Sequence, residues 1–348
     1  MRVEAFLGTR GFDRIAGWLE RIARRNRRVR PGPVSRAAKG RPAGRGFPLC
    51  PLGAMCGLLL AGVLCRGADP SQADPSQSDS SVSFEAKQSE PMSVTSVTPQ
   101  RGAAYPPGTE RITYRSAVDG VEDWALFLPG DPARSTIVYL HGSFSLADQI
   151  FTRQDVRRFW LTRIQAGRHP LLSVNLRGTA YMSPAATADL TDLLRYCRNA
   201  LGCRRFVLLG GSGGASSAMA YAVLHPEEIH GVIAMGMCDI VARLDFARRS
   251  GNPVLQKLAT TVFAAYGGTL EEKPELYQAR SVLAHADRLT MPIILTMGEN
   301  DQLIPVAETR KIAAAMKGRS NFVYHEIPGG GHDAALWVDI DLETLQLR

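Results

Sequence analysis

The sequence predicts an α/β protein in which helices cover both faces of a mostly parallel sheet. From about Arg111 to the C-terminus, short apolar segments rich in β-branched residues alternate with segments of helical pattern. Apolar residues make up 45% of the 348 residues, which is enough for a sizeable core. Strands that alternate with helices form parallel sheets, since each crossover returns the chain to the same end of the sheet. We therefore expect reacting groups on the loops beyond the carboxyl ends of the strands.

Eight segments have the pattern of strands. The first two, RITYRS and VEDWALFLP, are predicted to form an antiparallel pair. The other six are short and apolar, which is typical of strands buried on both faces. In chain order they are STIVYLHG, PLLSVNL, RFVLLG, GVIAMG, MPIILTMG and FVYHEI. Helices are predicted near 147–165, 185–201, 215–224, 254–265 and 306–316, and a last helical segment after His332.

Charge divides the chain into a basic leader and a slightly acidic remainder. Residues 1–68 hold 14 Lys and Arg against 3 Asp and Glu, whereas the whole chain has a net charge of only +8. The basic excess therefore belongs to the leader. We expect no nucleic-acid partner for the folded part.

The leader contains an uncharged apolar segment at 47–64, whose strongest part, from Ala54 onward, is about as long as the apolar part of a signal peptide. We expect export to the periplasm or the extracellular space, with cleavage near Ala68. A retained membrane anchor and a true start further downstream are the alternatives, and membrane contact is expected only through this leader. Residues 69–105, rich in Ser, Gln, Asp and Pro, are predicted to be a disordered linker before a catalytic domain at 106–348.

Three cysteines fall in the predicted domain, namely Cys197, Cys203 and Cys238. An odd number argues against a full disulfide framework, although a bridge between the first two is an alternative to three buried thiols. The domain has no CxxC motif and no cluster of histidines. We expect neither a metal nor another cofactor.

The segment FVLLGGSGGASSAMAYAVL places Ser212 between a strand and a helix in a G-x-S-x-G pattern. Such a turn forces the serine into an unfavourable backbone conformation, and the flanking glycines remove side chains that would collide with the neighbouring strand and helix. The serine hydroxyl is then raised above the edge of the sheet as a nucleophile. The amide of Gly213, at the start of the helix, is an expected oxyanion donor.

A nucleophilic serine needs a general base, and His332 is the expected one. It lies in the glycine-rich stretch IPGGGHDAALW, just beyond the last strand. His325 falls inside that strand and is expected to be a core or surface residue. His225 and His230 flank a connection at the opposite edge of the sheet and are expected to be structural.

The base in turn needs an acid, and Asp301 in ILTMGENDQLIP follows the penultimate strand. Glu299 and Asp239 are the alternatives, and Asp333 is expected to face solvent or to cap a helix. A second oxyanion donor is expected after STIVYLHG, from the amide of Ser143 or that of Phe144.

The region from about Arg111 onward resembles the α/β-hydrolase superfamily. Within it, the chain is similar to serine hydrolases of the prolyl oligopeptidase type and to related small esterases. The motifs that carry the resemblance are NLRGT, GGSGG, KPELYQARSVL before MPIILTMGENDQLIP, and GGGHD. The resemblance implies an α/β-hydrolase fold with nucleophile Ser212, acid Asp301, base His332, and oxyanion donors Ser143 and Gly213.

These motifs predict a carboxylesterase-like serine hydrolase, with a small ester as substrate. A peptidase acting on short peptides is the first alternative, and a non-catalytic binding domain of the same fold is the second. A helical cap at about 239–287 is predicted to choose the substrate. Six of its apolar residues are expected either to form an acyl pocket or to pack the cap helices: Phe246, Leu255, Leu258, Val262, Phe263 and Tyr266.

Overall fold

A computed structural model of the protein describes residues 92–342, so the predictions for the leader 1–68 lie outside the described residues. The described part is built around a nine-stranded sheet with the order β1-β2-β3-β5-β4-β6-β7-β8-β9. The strands are β1 Ser93–Pro99, β2 Glu110–Arg115, β3 Glu122–Leu128, β4 Thr136–Leu140, β5 Leu171–Val174, β6 Phe206–Gly211, β7 Gly231–Met235, β8 Ile293–Gly298 and β9 Phe322–Ile327.

The sheet is antiparallel at one side and parallel elsewhere. β1, β2, β3 and β5 pair antiparallel in that order, whereas β5, β4, β6, β7, β8 and β9 are all parallel. This confirms the predicted antiparallel pair and the predicted mostly parallel sheet. In the centre of the sheet, Leu140 pairs with both Val174 and Gly210. The carboxyl ends of β4, β5 and β6 therefore lie side by side.

Strand β1 corrects part of the predicted disordered linker, because Ser93–Pro99 lie inside the range 69–105. Residues 69–91 of that range lie outside the described residues. The segment SVTSVTP is largely exposed, so it has no apolar face that would mark it as a strand. It is held mainly by backbone pairing with β2 along the edge of the sheet, and Val94 alone packs on the core. The sheet therefore includes residues before the predicted domain boundary at 106.

Helices cover the sheet, and most begin and end close to the predicted positions. The predicted helix at 147–165 is divided, because the backbone at Arg153 is extended, with φ −75° and ψ 109°. The α-helices are α1 Gln149–Thr152, α2 Gln154–Val156, α3 Thr162–Ala166, α4 Pro184–Ala200, α5 Gly213–Leu224, α6 Ile240–Arg249, α7 Pro253–Tyr266, α8 Pro274–Gln278 and α9 Val306–Ala315. A π-helical turn spans Arg157–Leu161, and 3₁₀ helices span Pro226–Glu228, Ala286–Arg288 and His332–Trp337.

The core is formed by the central strands and by α5. Strands β4, β5, β7 and β8 are buried along their whole length, which explains their continuous apolar sequences. Nearly every residue of α5 is buried as well, so this helix has no polar face. Within residues 92–342, none of the helices combines the length and the apolar character needed to cross a membrane.

Helices α6, α7 and α8 form the predicted cap between β7 and β8. They pack on one another around a stacked pair of rings, Tyr266 and Tyr277, whose centroids are 4.3 Å apart. Val262 and Tyr266 are buried inside this cluster. The three cysteines of the described region are all free and buried.

Candidate functional site

Ser212 lies on the turn between β6 and α5 in a strained backbone conformation, with φ 55° and ψ −118°. Its amide donates to the carbonyl of Met235, at the end of the neighbouring strand, over 2.8 Å. A positive φ is unfavourable for a residue with a side chain and persists only where the surroundings enforce it. The turn therefore has the geometry that the sequence predicts for a nucleophile.

Two glycines leave the space in which this turn fits. A Cβ atom at Gly210 would lie 2.3 Å from the carbonyl carbon of Gly214, and one at Gly214 would lie 2.0 Å from the carbonyl oxygen of Leu140. Both distances are far below van der Waals contact. The glycines on either side of Ser212 therefore serve close packing of backbone against backbone.

His332 and Asp301 are brought together by the loops after β9 and β8. Nδ1 of His332 lies 2.7 Å from Oδ2 of Asp301. A Cβ atom at Gly298, the last residue of β8, would lie 2.2 Å from the carbonyl oxygen of Gly331. The glycine-rich loop therefore packs directly on the end of β8 and carries His332 to the carboxylate.

Both oxygens of the Asp301 carboxylate take part in hydrogen bonds, one of them with His332. Its other oxygen accepts hydrogen bonds from the amides of Leu303 and Ile304, at 2.7 and 2.9 Å. Burial opposes ionisation of Asp301, but the hydrogen bond with His332, the charge of that ring and the two amides outweigh it and lower the pKa of the carboxyl. Asp301 is therefore ionised at neutral pH.

The alternative acids are engaged elsewhere. Glu299 accepts from the amide of Gly329 at 2.7 Å. Asp239 caps the start of α6 and accepts from the hydroxyl of Ser281 at 2.7 Å. Asp333 is exposed and lies 3.4 Å from Nη2 of Arg153.

The other histidines considered do not lie at this site. His325 is in the middle of β9, pairs with Thr296 of β8, and its burial lowers the pKa of its ring. His225 follows α5 and packs on the ring of Tyr221, with centroids 4.8 Å apart. His230 immediately precedes β7, and its burial, together with nearby arginine charges, lowers its pKa. His225 and His230 therefore lie at the amino ends of the strands, opposite the end where Ser212 lies, as predicted.

Ser143 and Gly213 are neighbours in space. A Cβ atom at Gly213 would lie 2.5 Å from Oγ and 3.0 Å from the amide nitrogen of Ser143. The amide of Phe144 donates to Oγ1 of Thr179 at 2.7 Å, so it is occupied. Of the two expected donors in this loop, Ser143 is the one whose amide forms no hydrogen bond within residues 92–342.

Two residues that position this loop were not predicted. Oε1 of Gln149 accepts from the amide of Gly142 at 2.9 Å and from the hydroxyl of Tyr139 at 2.8 Å. The hydroxyl of Tyr181 lies 2.9 Å from Oγ of Ser143. The contact of Tyr181 joins segments 38 residues apart, whereas Gln149 lies within ten residues of both its partners. Nothing in the local pattern around either residue marks it.

Ser212 and His332 line one cavity of about 240 Å³. The cap contributes Val254, Leu255 and Leu258 to its wall, and Leu303 and Leu336 add further apolar surface. Of the six cap residues expected at an acyl pocket, only Leu255 and Leu258 lie on this wall. Two cations, Arg153 and Arg243, also line it.

Only one group of side chains among residues 92–342 has the spacing to hold a metal ion, namely His225, Glu227 and Glu228. It lies on the partly exposed connection between α5 and β7, at the amino ends of the strands. Ser212 and His332 lie beyond the carboxyl ends. This group therefore takes no part in the cavity.

Residues 137–339 match the model of the alpha/beta hydrolase family. Because this match spans more than half of the chain, the protein belongs to the alpha/beta hydrolase family, as the motifs around Ser212 and His332 predict. Membership of this family and the fold both support hydrolase activity for this protein. No curated protein matches the chain significantly.

Solved structures share this fold at low sequence identity. A fluorophosphonate-binding serine hydrolase of Staphylococcus aureus, FphF, has 13% identity and a TM-score of 0.51, covering 68% of this chain and 96% of its own. A 2,6-dihydroxy-pseudo-oxynicotine hydrolase has 16% identity and a TM-score of 0.52, covering 69% and 67%. The esterase Pf2001 of Pyrococcus furiosus has 16% identity and a TM-score of 0.47, covering 64% and 84%.

Proposed function

We propose that this protein is a serine hydrolase that cleaves carboxylic esters through an acyl-enzyme intermediate on Ser212. The observation that carries the proposal is the shared cavity of Ser212 and His332, together with the 2.7 Å contact between His332 and Asp301. A strained serine, an imidazole and a buried carboxylate are the three groups that nucleophilic acyl transfer requires.

In the proposed mechanism, His332 removes the proton of the Ser212 hydroxyl as its oxygen attacks the ester carbonyl. Nδ1 of His332 is held by Asp301, so Nε2 is the nitrogen that takes this proton. The tetrahedral intermediate collapses as the imidazolium returns the proton to the departing alcohol. Water, activated by the same imidazole, then hydrolyses the acyl-enzyme and restores Ser212.

The negative charge that develops on the carbonyl oxygen is assigned to the amides of Ser143 and Gly213. Their proximity, and the absence of a hydrogen-bond partner for the Ser143 amide within residues 92–342, support this assignment. General-base catalysis is worth roughly 10² to 10⁴ in rate, and one oxyanion donor about 10² to 10³. Both groups are therefore needed for appreciable turnover.

Labelling with a fluorophosphonate probe tests the proposal directly. We expect the probe to modify Ser212 in the full-length protein and to leave Ser212→Ala unlabelled. Steady-state kinetics with 4-nitrophenyl esters and with aminoacyl 4-nitroanilides then separates an esterase from a peptidase. Labelling without turnover of esters would contradict ester cleavage, and the absence of labelling at Ser212 would contradict a serine hydrolase altogether.

We also propose that the protein acts outside the cytoplasm, on the basis of the apolar segment 47–64. N-terminal sequencing of protein recovered from the host's periplasmic or extracellular fraction tests this. A mature chain that begins near residue 69 is expected. Recovery of the intact chain in the membrane fraction would favour the anchor instead.

A further inference from the structure

Arg243, on the cap helix α6, presents an unusual buried cation to the active-site cavity. The residue is 2% exposed and lines the cavity that contains Ser212 and His332. Its Nη1 donates to the carbonyl oxygen of Leu303 at 2.6 Å. Its Nε is buried and has no hydrogen-bond partner.

No carboxylate within residues 92–342 forms an ion pair with Arg243. The two acids nearest in sequence are engaged elsewhere. Asp245 pairs with Arg248 and Arg249, and the two oxygens of Asp239 accept from the amide of Val241 and the hydroxyl of Ser281. Asp301 is likewise occupied, by His332 and by two backbone amides. The positive charge of Arg243 is therefore left without a protein counter-ion.

The two arginines most comparable to Arg243 differ from it. Arg280, buried in the same cap, donates through all three of its nitrogens to acceptors of the protein. Arg153, the other arginine on the cavity wall, pairs with Asp155 at 2.8 Å and with Asp333 at 3.4 Å. Arg243 thus combines burial, an unused donor and a position on the cavity wall.

A buried guanidinium that lacks a counter-ion is costly, because burial removes hydration that a single carbonyl cannot replace. An anion in the cavity would supply the missing charge beside this guanidinium. Carboxylates match the planar, forked arrangement of guanidinium donors. The apolar surface of Leu255 and Leu258 on the same wall suits the aliphatic part of such a ligand.

We propose that Arg243 binds a free carboxylate of the substrate, so that the enzyme prefers esters that also carry a carboxylate. This inference rests on the proposed function, because it assigns the substrate class of the same cavity. Arg243 is a specificity-determining residue in this proposal and takes no part in proton transfer.

Matched pairs of chromogenic esters test the preference. The mono-4-nitrophenyl ester of glutaric acid is compared with 4-nitrophenyl pentanoate, which has the same chain length and no charge. The butanoyl ester of 4-hydroxybenzoate is compared with that of 4-hydroxybenzamide, to place the carboxylate on the alcohol side instead. We expect kcat/KM of the wild-type protein to favour the anionic member of one pair by at least about tenfold, an ordinary size for a charge-assisted contact. Preference in neither pair would overturn the proposal.

Variants assign the preference to a residue. In Arg243→Gln the anionic-to-neutral ratio of kcat/KM is expected to fall by about tenfold or more, and in Arg243→Lys by less, because a lysine keeps the charge and loses the fork. Arg153→Gln is the control, since its cation is already paired, and its ratio is expected to stay within about twofold of wild type. An unchanged ratio in Arg243→Gln would overturn the assignment.

A binding measurement covers the case in which the Arg243 variants do not fold. Glutarate and pentanoate each offer one carboxylate to the oxyanion site, but only glutarate has a second one for Arg243. We expect glutarate to raise the Tm of the full-length Ser212→Ala protein more than pentanoate does at equal concentration. This test needs no turnover, so equal shifts overturn the role of Arg243, whereas failure of fluorophosphonate labelling overturns the hydrolase itself.

Discussion

Nδ1 of His332 lies 2.7 Å from Oδ2 of Asp301, although 31 residues separate the two in the chain. Strands β8 and β9 are parallel and Gly298 pairs with Ile327, so the loops that follow them start side by side at the carboxyl ends of the two strands. The side chain of Asp301 is fully buried, so water does not compete for this hydrogen bond. The pair is therefore a fixed element of the site.

Asp301→Asn is expected to reduce kcat by about 10³ to 10⁴, the size of effect known for loss of the acid in comparable triads. The amide would donate to Nδ1 and so favour the tautomer in which Nε2 carries the proton and cannot act as a base. Initial rates on a 4-nitrophenyl ester measure the loss. A variant that keeps more than about a tenth of wild-type kcat would show that Asp301 does not orient the base.

The lowered pKa of Asp301 also predicts a pH dependence of stability. Because the carboxyl has a lower pKa in the folded than in the unfolded protein, its contribution is complete above the unfolded value of about 3.9 and is lost as the pH falls toward the folded value. The stability difference between wild type and Asp301→Asn should therefore shrink on acidification from pH 6 to pH 3. Urea unfolding across this range measures the difference. A constant difference would contradict the lowered pKa.

Gly214→Ala is expected to destabilise the protein by about 3 kcal/mol, at the upper end of the range for overpacking. Its Cβ would lie 2.0 Å from the carbonyl oxygen of Leu140, which is backbone and cannot move aside. Alanine ordinarily stabilises a helix relative to glycine, so a fall in the free energy of unfolding would itself point to the close contact. Gly251→Ala is the control, because nothing lies within 4 Å of its added methyl group. Urea unfolding measures the free energy of unfolding of both variants. Equal values for Gly214→Ala and Gly251→Ala would contradict the packing argument.

The sequence predicts the central strands and the three candidate catalytic residues because both leave local signals. Strands β4 to β8 are continuous apolar runs, and Ser212 and His332 stand in glycine-rich turns directly after or before an element. Asp301 follows β8 at the predicted edge. Chain order and strand ends are sufficient to place such residues together.

What the sequence does not predict depends on contacts that no local sequence pattern marks. Strand β1 is exposed and is held by backbone pairing, which has no side-chain signature. Gln149 and Tyr181 act through hydrogen bonds across the loop of Ser143, and the burial of Arg243 depends on how the cap packs. The apolar cap residues divide between cap core and cavity wall, which helical spacing alone does not resolve.

The assignment of the Ser143 amide as an oxyanion donor predicts that the side chain at this position matters less than the backbone. Ser143→Ala loses the contact with Tyr181 and keeps the amide, so kcat is expected to fall by less than about tenfold. Ser143→Pro removes the amide and is expected to lower kcat by about 10² to 10³. Circular dichroism verifies that both variants fold. Similar losses in the two folded variants would argue against a backbone donor here.

Arg177 joins two carboxylates of unequal burial, and removal of each should have a different cost. Nε of Arg177 donates to Asp189 at 2.7 Å, and its two terminal nitrogens donate to Asp119 at 2.7 and 2.9 Å. Asp189 is 1% exposed and also accepts from the hydroxyl of Ser116, whereas 41% of the Asp119 side chain is exposed.

Asp189→Ala is therefore expected to lower the free energy of unfolding by about 3 kcal/mol, because it leaves both the buried hydroxyl of Ser116 and one side of Arg177 unpaired. Asp119→Ala is the matched control and should cost less than about 1 kcal/mol, since water replaces an exposed carboxylate. Urea unfolding of the two variants measures the difference. If both variants lose the same stability, burial does not determine the strength of this network.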